Sequence, residues 1–192
     1  MIRIAILGDI GSGKSHIAKK FGYPIFNADK EVSKIYNKDK KSYKKLKKLL
    51  PRHIISFPIK KKFLSKAILA NKKNIKKIGK VIHPEVRQRL RKFEKKHKKE
   101  KLVVLDIPLF LENKMNRKND VLIFVSAEKK KIKRSLKMRS NFNPKIVEKL
   151  KKLQLPLEFK KKKSNFVIKN NFQNKSAKNS VKNILKKIKR NA

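Results

Sequence analysis

Residues 8–15 read GDIGSGKS, three glycines and a lysine packed into eight positions directly after the apolar run IAIL. Gly8, Gly13, Lys14 and Ser15 satisfy the spacing G-x-x-x-x-G-K-[ST]. Glycines let successive backbone N–H groups turn inward around one anion, and a helix opening at the lysine adds its positive end. The implied chemistry is nucleoside triphosphate binding across Gly8, Asp9, Ile10, Gly11, Ser12, Gly13, Lys14, Ser15 and His16. Lys14 is expected on the β- and γ-phosphates and Ser15 on Mg²⁺. Asp9 repels phosphate, so its side chain is expected to point away from the cradle. The competing reading is a glycine-rich turn with a surface lysine. A strand before the motif and a helix after it argue against that.

Phosphoryl transfer also needs a group that orients an attacking hydroxyl and takes its proton. FNADK offers Asp29 just beyond a second short strand, whose end is expected beside the loop; as helix cap, Asp29 would serve structure only. LDIPLFLE places Asp106 near the end of a buried strand, with Pro108 ending it and Glu112 beyond. Asp106 is placed either to support Mg²⁺ or to be satisfied by backbone amides. IHPEVR supplies His83 and Arg87, with His83 alternatively a helix cap. Arg134 and Arg139 are expected on one helix, as a fork of donors for a migrating phosphoryl group or as surface charge.

Elements must hold these residues. Ile2–Leu7, PIFN, KLVVLDIPLF, DVLIFVS and NFVIKN read as five strands, the third nearly all apolar as a central parallel strand should be. Helices are expected over Ser15–Phe21, ending at Gly22, from ADKEVSKIY, and over PEVRQRLRKFEKKHKK with Pro84 in its first turn. Further helices are expected from a Ser126 cap to about Arg139, over NFNPKIVEKLKKLQ with Asn143 as cap and Pro144 first, and over SAKNSVKNILKKIKR. In the last, Val181, Ile184, Leu185 and Ile188 form an apolar stripe. Alternating strands and helices predict an α/β three-layer fold with a five-stranded parallel sheet, and ligands at the strands' carboxyl ends. The expected division is a core of 1–37, 101–125 and 166–192, a helical insertion over 38–100, and a lid over 126–165.

The chain has 192 residues, enough for one domain with insertions, and 39% of them are hydrophobic. It has no cysteine, which excludes a disulfide framework and thiolate metal ligation. No apolar run is long enough to span a membrane, and the N-terminus shows no signal-peptide pattern, so a cytoplasmic protein is expected. Lysine and arginine total 58 against 13 acids, a net charge of +45. That balance suggests nucleic acid. The cation is overwhelmingly lysine, however, and it is spread along the chain rather than gathered in one stripe. Drift of exposed positions toward lysine explains this without a polyanion partner, leaving weak, salt-sensitive, non-specific binding. No guanine-reading N-K-x-D lies at a suitable place.

In this order the motifs resemble the dephospho-CoA kinase family over almost the whole chain. GDIGSGKS resembles its glycine loop, NADK its acidic turn, IHPEVR its His-Pro element and DIPLFLE its Pro-Leu-Leu-x-Glu segment. KRSLKMR and LQLPLEFKKKKSNFVIKNN match its lid and the run into its last strand. The resemblance implies a P-loop nucleoside-triphosphate-hydrolase-like fold and phosphate transfer from ATP to the ribose 3′-hydroxyl of dephospho-CoA. It implies Asp29 as general base, Lys14 and Ser15 for ATP and Mg²⁺, Arg139 as lid arginine, Asp106 near the metal, and His83, Arg87, Leu109 and Glu112 on the acceptor side. A monomer or weak homo-oligomer is expected, with no membrane or specific nucleic-acid partner. The alternatives are another small-molecule kinase and, from a different class, a nucleic-acid-binding ATPase. Departures from the family pattern are Asp9 for glycine, His16 for threonine, Asn27 for aspartate, Ser164-Asn165 for Ala-Asp and Phe172 for glycine.

Overall fold

A computed structural model describes residues 1–139 and 142–190. Asn141, at the start of the expected helix segment, and the last two residues of the expected core segment lie outside the described residues, as does Ser140 within the expected lid. By their internal packing the residues fall into two units, Met1–Asn27 with His97–Asn143 and Leu150–Ala192, and Ala28–Lys96 with Pro144–Lys149.

The first unit is built on β1 (Ile2–Gly8), β2 (Ile25–Asn27), β3 (Leu102–Asp106), β4 (Val121–Ser126) and β5 (Phe166–Lys169). All pairs are parallel, in the order β2-β3-β1-β4-β5. The five-stranded parallel sheet thus follows the sequence reading. β2 and β1 are not paired with each other, because β3 stands between them and pairs with both. Every residue of β3 is buried, which is why its sequence is apolar without alternation.

Ile4 and Ile6 point to one face and join a core with Ile17, Phe21, Val181 and Ile188. These come from α1 (Lys14–Ala18), a short 3₁₀ turn (Lys19–Phe21) and α9 (Asn174–Arg190). Ala5 and Leu7, one residue out of phase, are buried on the other face. Burying Val181, Ile184 and Ile188 contributes about 1.5–3 kcal/mol each before chain entropy is charged against it, so α9 holds by its stripe rather than by its lysine-rich remainder. Arg3 of β1 pairs with Asp120, with Nη2 donating to Oδ2 at 3.1 Å and Nε 3.0 Å from Oδ1, and both side chains are buried.

The same unit carries α6 (Lys129–Lys137) and α8 (Leu157–Lys162), the latter not expected as a separate helix. Ser126 is not a helix cap. It remains in β4, where its carbonyl accepts the Asn170 N–H at 2.7 Å, and Glu128 takes the N-cap position of α6. Arg139 therefore does not share a helix with Arg134: α6 ends at Lys137, with Met138 as its C-cap.

The second unit is helical, with α2 (Ala28–Lys38), α3 (Lys40–Leu49), α4 (Lys61–Ala70), α5 (Lys73–Lys96) and most of α7 (Pro144–Lys151). Pro144 opens α7, as expected for a residue lacking an amide hydrogen. Asp39 caps α3, accepting from the Lys41 and Ser42 N–H groups. Lys149 Nζ donates to the Ile68 and Leu69 carbonyls at 3.0 and 2.9 Å, closing the C-terminal end of α4. The expected helix start at Pro84 is wrong. Pro84 lies inside α5, and His83 is a mid-helix residue rather than a cap. Ile78, Val81, Ile82, Val86 and Leu90 are buried on both sides of the proline, so tertiary burial carries the helix through a residue that costs it a hydrogen bond.

Candidate active site

The glycine loop runs from the carboxyl end of β1 into α1. Gly13 has φ +89°, in the left-handed region, and stands at the N-cap of α1. A Cβ added there would lie 2.2 Å from Asn170 Nδ2. Asn170 is buried; its Nδ2 donates to the Ser12 carbonyl at 2.9 Å and its Oδ1 accepts the Phe172 N–H at 2.9 Å. A trans peptide sets N–H and C=O on opposite sides. Holding the Ser12 carbonyl toward Asn170 therefore aims the Gly13 N–H away from it, fixing one donor of the loop. Gly11 (φ +87°) meets α6 instead, where an added Cβ would lie 2.7 Å from Leu136 Cγ.

Lys14 Nζ lies over the loop, donating to the Asp9 carbonyl at 2.7 Å and the Gly8 carbonyl at 3.1 Å. Asp9 does more than turn aside. Its Oδ1 accepts the Ile10 N–H at 2.7 Å and its Oδ2 lies 3.5 Å from Lys151 Nζ, so the carboxylate shapes the turn and is partly offset by a cation. His16 sits half-buried in α1; loss of hydration, then the charges of Lys20 and Lys19, push its pKa below the ordinary histidine value.

Gly8, Lys14, Leu109 and Glu112 share one cleft with Ile107, Phe110 and Lys160. Leu109 adopts φ +54°, a conformation that costs a non-glycine residue about 1–2 kcal/mol. Glu112 Oε1 accepts from the Leu155 N–H at 3.0 Å and from Lys160 Nζ at 3.1 Å. Asp106, buried at the end of β3, is satisfied by a side chain rather than by backbone amides: Asn27 Nδ2 donates to its Oδ2 at 2.5 Å across the register pair. Its Oδ1 and the Ser15 hydroxyl are hard oxygen donors, the type Mg²⁺ prefers. Among the described residues there is no group of three or more His, Cys, Asp or Glu that could hold a metal.

In the helical unit, Asp29 is the second residue of α2, inside its first turn, so it is not the capping residue. Two residues on, burial opposes ionisation of Glu31, but hydrogen bonds from Lys34 and Arg89 outweigh it and hold the carboxyl below the usual range. His83 and Arg87 stand one turn apart on α5. The His83 ring packs close to Gly79; partial desolvation and then the Arg87 charge lower its pKa. Arg139 is exposed.

Comparison with known proteins decides the assignment. The dephospho-CoA kinase family model matches residues 2–176. This chain belongs to the dephospho-CoA kinase family. A dephospho-CoA kinase of Wolbachia pipientis is 33% identical over 187 residues, covering 95% of each chain. One from Thermus thermophilus is 28% identical over 191 residues, covering 97% of this chain and 92% of its own. Among solved structures, TT1252 from Thermus thermophilus superposes with a TM-score of 0.78 at 27% identity over 97% of both chains. Dephospho-CoA kinase from Campylobacter jejuni gives 0.63 at 22% identity, covering 97% of this chain and 96% of its own, a likeness of fold. The chain is thus a P-loop kinase of coenzyme A biosynthesis.

Sequence reasoning missed Asn170 and Lys160. Asn170 stands in the pair NN, next to the Phe172 departure. Phe172 has φ +66°, which explains why glycine suits that position in the family. Lys160 opens the run KKKK, where nothing in residue type separates one buried lysine from three exposed ones.

Proposed function

We propose that the chain transfers the γ-phosphoryl group of ATP to the ribose 3′-hydroxyl of dephospho-CoA, giving coenzyme A and ADP. The observation that carries this reading is the clamped glycine loop with Lys14 at its centre, in a chain whose family model spans residues 2–176. The loop N–H groups and Lys14 bind the β- and γ-phosphates and hold the donor in line. Ser15 and Asp106 would hold Mg²⁺, which supplies charge neutralisation at the phosphate oxygens. Asp29 takes the proton from the 3′-hydroxyl as the new P–O bond forms. Arg139, on a lid spanning 126–165, neutralises charge on the migrating group. His83, Arg87, Leu109 and Glu112 serve the acceptor side, with 38–100 as the helical insertion. Binding of two polyanions suits a strongly cationic chain, and a cytoplasmic monomer or weak homo-oligomer suffices for the reaction. No helix among the described residues is long and apolar enough to cross a membrane.

The test is ADP release across a panel of hydroxyl acceptors, with the product read by mass. Dephospho-CoA should give a product heavier by one phosphoryl group. Release with a nucleoside monophosphate instead would establish the other small-molecule kinase, and release driven by polynucleotide the ATPase. Asp29→Asn should bind both substrates and transfer at least ~100-fold more slowly; normal transfer would remove Asp29 as the base.

A further inference from the structure

Lys160 is 3% exposed in a chain whose other lysines mostly face water. Its ammonium lies 3.1 Å from Glu112 Oε1, and the two side chains are 4% and 9% exposed. Glu112 is itself fixed, because the same oxygen accepts the Leu155 N–H at 3.0 Å. Stability alone is a weak reason for such a pair, since burying two charges costs much of what their attraction returns and apolar replacements are often as stable. Its position supplies another reason. Lys160 lines the cleft that Gly8 and Lys14 also line, and the rest of that lining is largely aliphatic and aromatic. In such surroundings a fixed cation acts on a nearby anion with little screening.

We propose that Lys160 is a second cation of the phosphate site, contacting a phosphate oxygen of bound ATP beside Lys14, and that Glu112 is the positioning residue that holds it there. An ammonium has three donors, so one can stay on Glu112 while another reaches an anion. Lys14 opens α1 and Lys160 lies in α8, so the charge on the transferring group is met from two separate elements. This inference rests on the phosphoryl-transfer reading and reassigns Glu112 from substrate contact to support of Lys160.

The experiment compares wild type, Lys160→Met, the apolar pair Glu112→Leu with Lys160→Met, and Lys160→Arg. ATP affinity is measured calorimetrically without acceptor, alongside turnover of dephospho-CoA and the melting midpoint. Lys160→Met should weaken ATP binding about tenfold and lower kcat/KM about 100-fold. The apolar pair should recover the melting midpoint yet stay as inactive as the single variant, because the cation is gone. Recovery of wild-type ATP affinity and kcat/KM by the apolar pair would make the ion pair purely structural and overturn the proposal. Should the apolar pair not fold, Lys160→Arg decides. A guanidinium keeps the charge, so ATP affinity in Lys160→Arg should stay above that of Lys160→Met. Lys160→Arg binding ATP as weakly as Lys160→Met, with the midpoint held, overturns the proposal. Wild-type inactivity toward dephospho-CoA with intact ATP binding would instead fault the acceptor reading and leave the calorimetric comparison to judge Lys160.

Discussion

Asn170→Ala tests whether the glycine loop is shaped from outside itself. The substitution removes two hydrogen bonds, a buried one to the Ser12 carbonyl and a half-buried one from the Phe172 N–H, each 2.9 Å in the native fold. A buried group stripped of its partner costs about 1–3 kcal/mol, so two give roughly 2–6 kcal/mol before relaxation. Phe172 partly relaxes, because its left-handed backbone, worth about 1–2 kcal/mol of strain, is no longer held by Asn170. The expected net loss is about 2–4 kcal/mol, and in a chain of this size about 2–4 °C of melting midpoint per kcal/mol gives a fall of ~4–16 °C. The functional effect is separable from the stability effect. With the Ser12 carbonyl free to swing, the Gly13 N–H loses its fixed direction and ATP affinity should fall about tenfold at a temperature where the variant is fully folded. Differential scanning fluorimetry and ATP titration at about 15 °C below the variant's own midpoint measure the two parts. A variant that melts lower but binds ATP as tightly as wild type would refute the directional argument and leave Asn170 as packing alone.

The buried Arg3–Asp120 pair should be costly to split: Asp120→Ala leaves a guanidinium that is 5% exposed without its carboxylate, and urea denaturation should show about 3–5 kcal/mol lost. Stability should also fall in acid, in two steps. His16 and His83 have lowered folded pKa values, so the unfolded chain binds their protons first and stability declines as pH drops below about 6.5. Glu31 and Asp39, also lowered, contribute stability above their unfolded pKa values and lose it below about pH 4. Urea midpoints flat from about pH 7 to 5 would contradict the first step.

The sheet was legible because burial on both faces leaves an unmistakable record: LVVLD and VLIFVS are apolar without alternation, and the loop motif marks the end of β1. Strand order was not, since nothing in PIFN says that β3 will stand between it and β1. Pro84 misled because a local rule, proline at a helix start, was overruled by a buried stripe that continues across it. Gly13, Lys14 and Ser15 are candidates on spacing alone. Asn170 and Lys160 are not, because each gains its role from a partner far away in sequence, Ser12 and Glu112.

The same asymmetry makes sense of the charge. With 58 basic residues, one more lysine carries little information, whereas each of 13 acids is held against a strong compositional bias. Five of the acids stand at defined tasks: Asp9 in the loop turn, Asp39 at a helix cap, Asp106 on Asn27, Glu112 on Lys160 and Asp120 on Arg3. The remaining positive charge acts as a diffuse load on the compact state. At +45 the surface repels itself, and salt relieves this as the Debye length shrinks from about 30 Å at 0.01 M to about 3 Å at 1 M. The melting midpoint should therefore rise with sodium chloride over that range, while ATP binding, which gains from the same field, should weaken. The two trends have opposite signs and one cause. A midpoint indifferent to salt would mean that the lysines are spaced widely enough to carry no repulsion worth relieving.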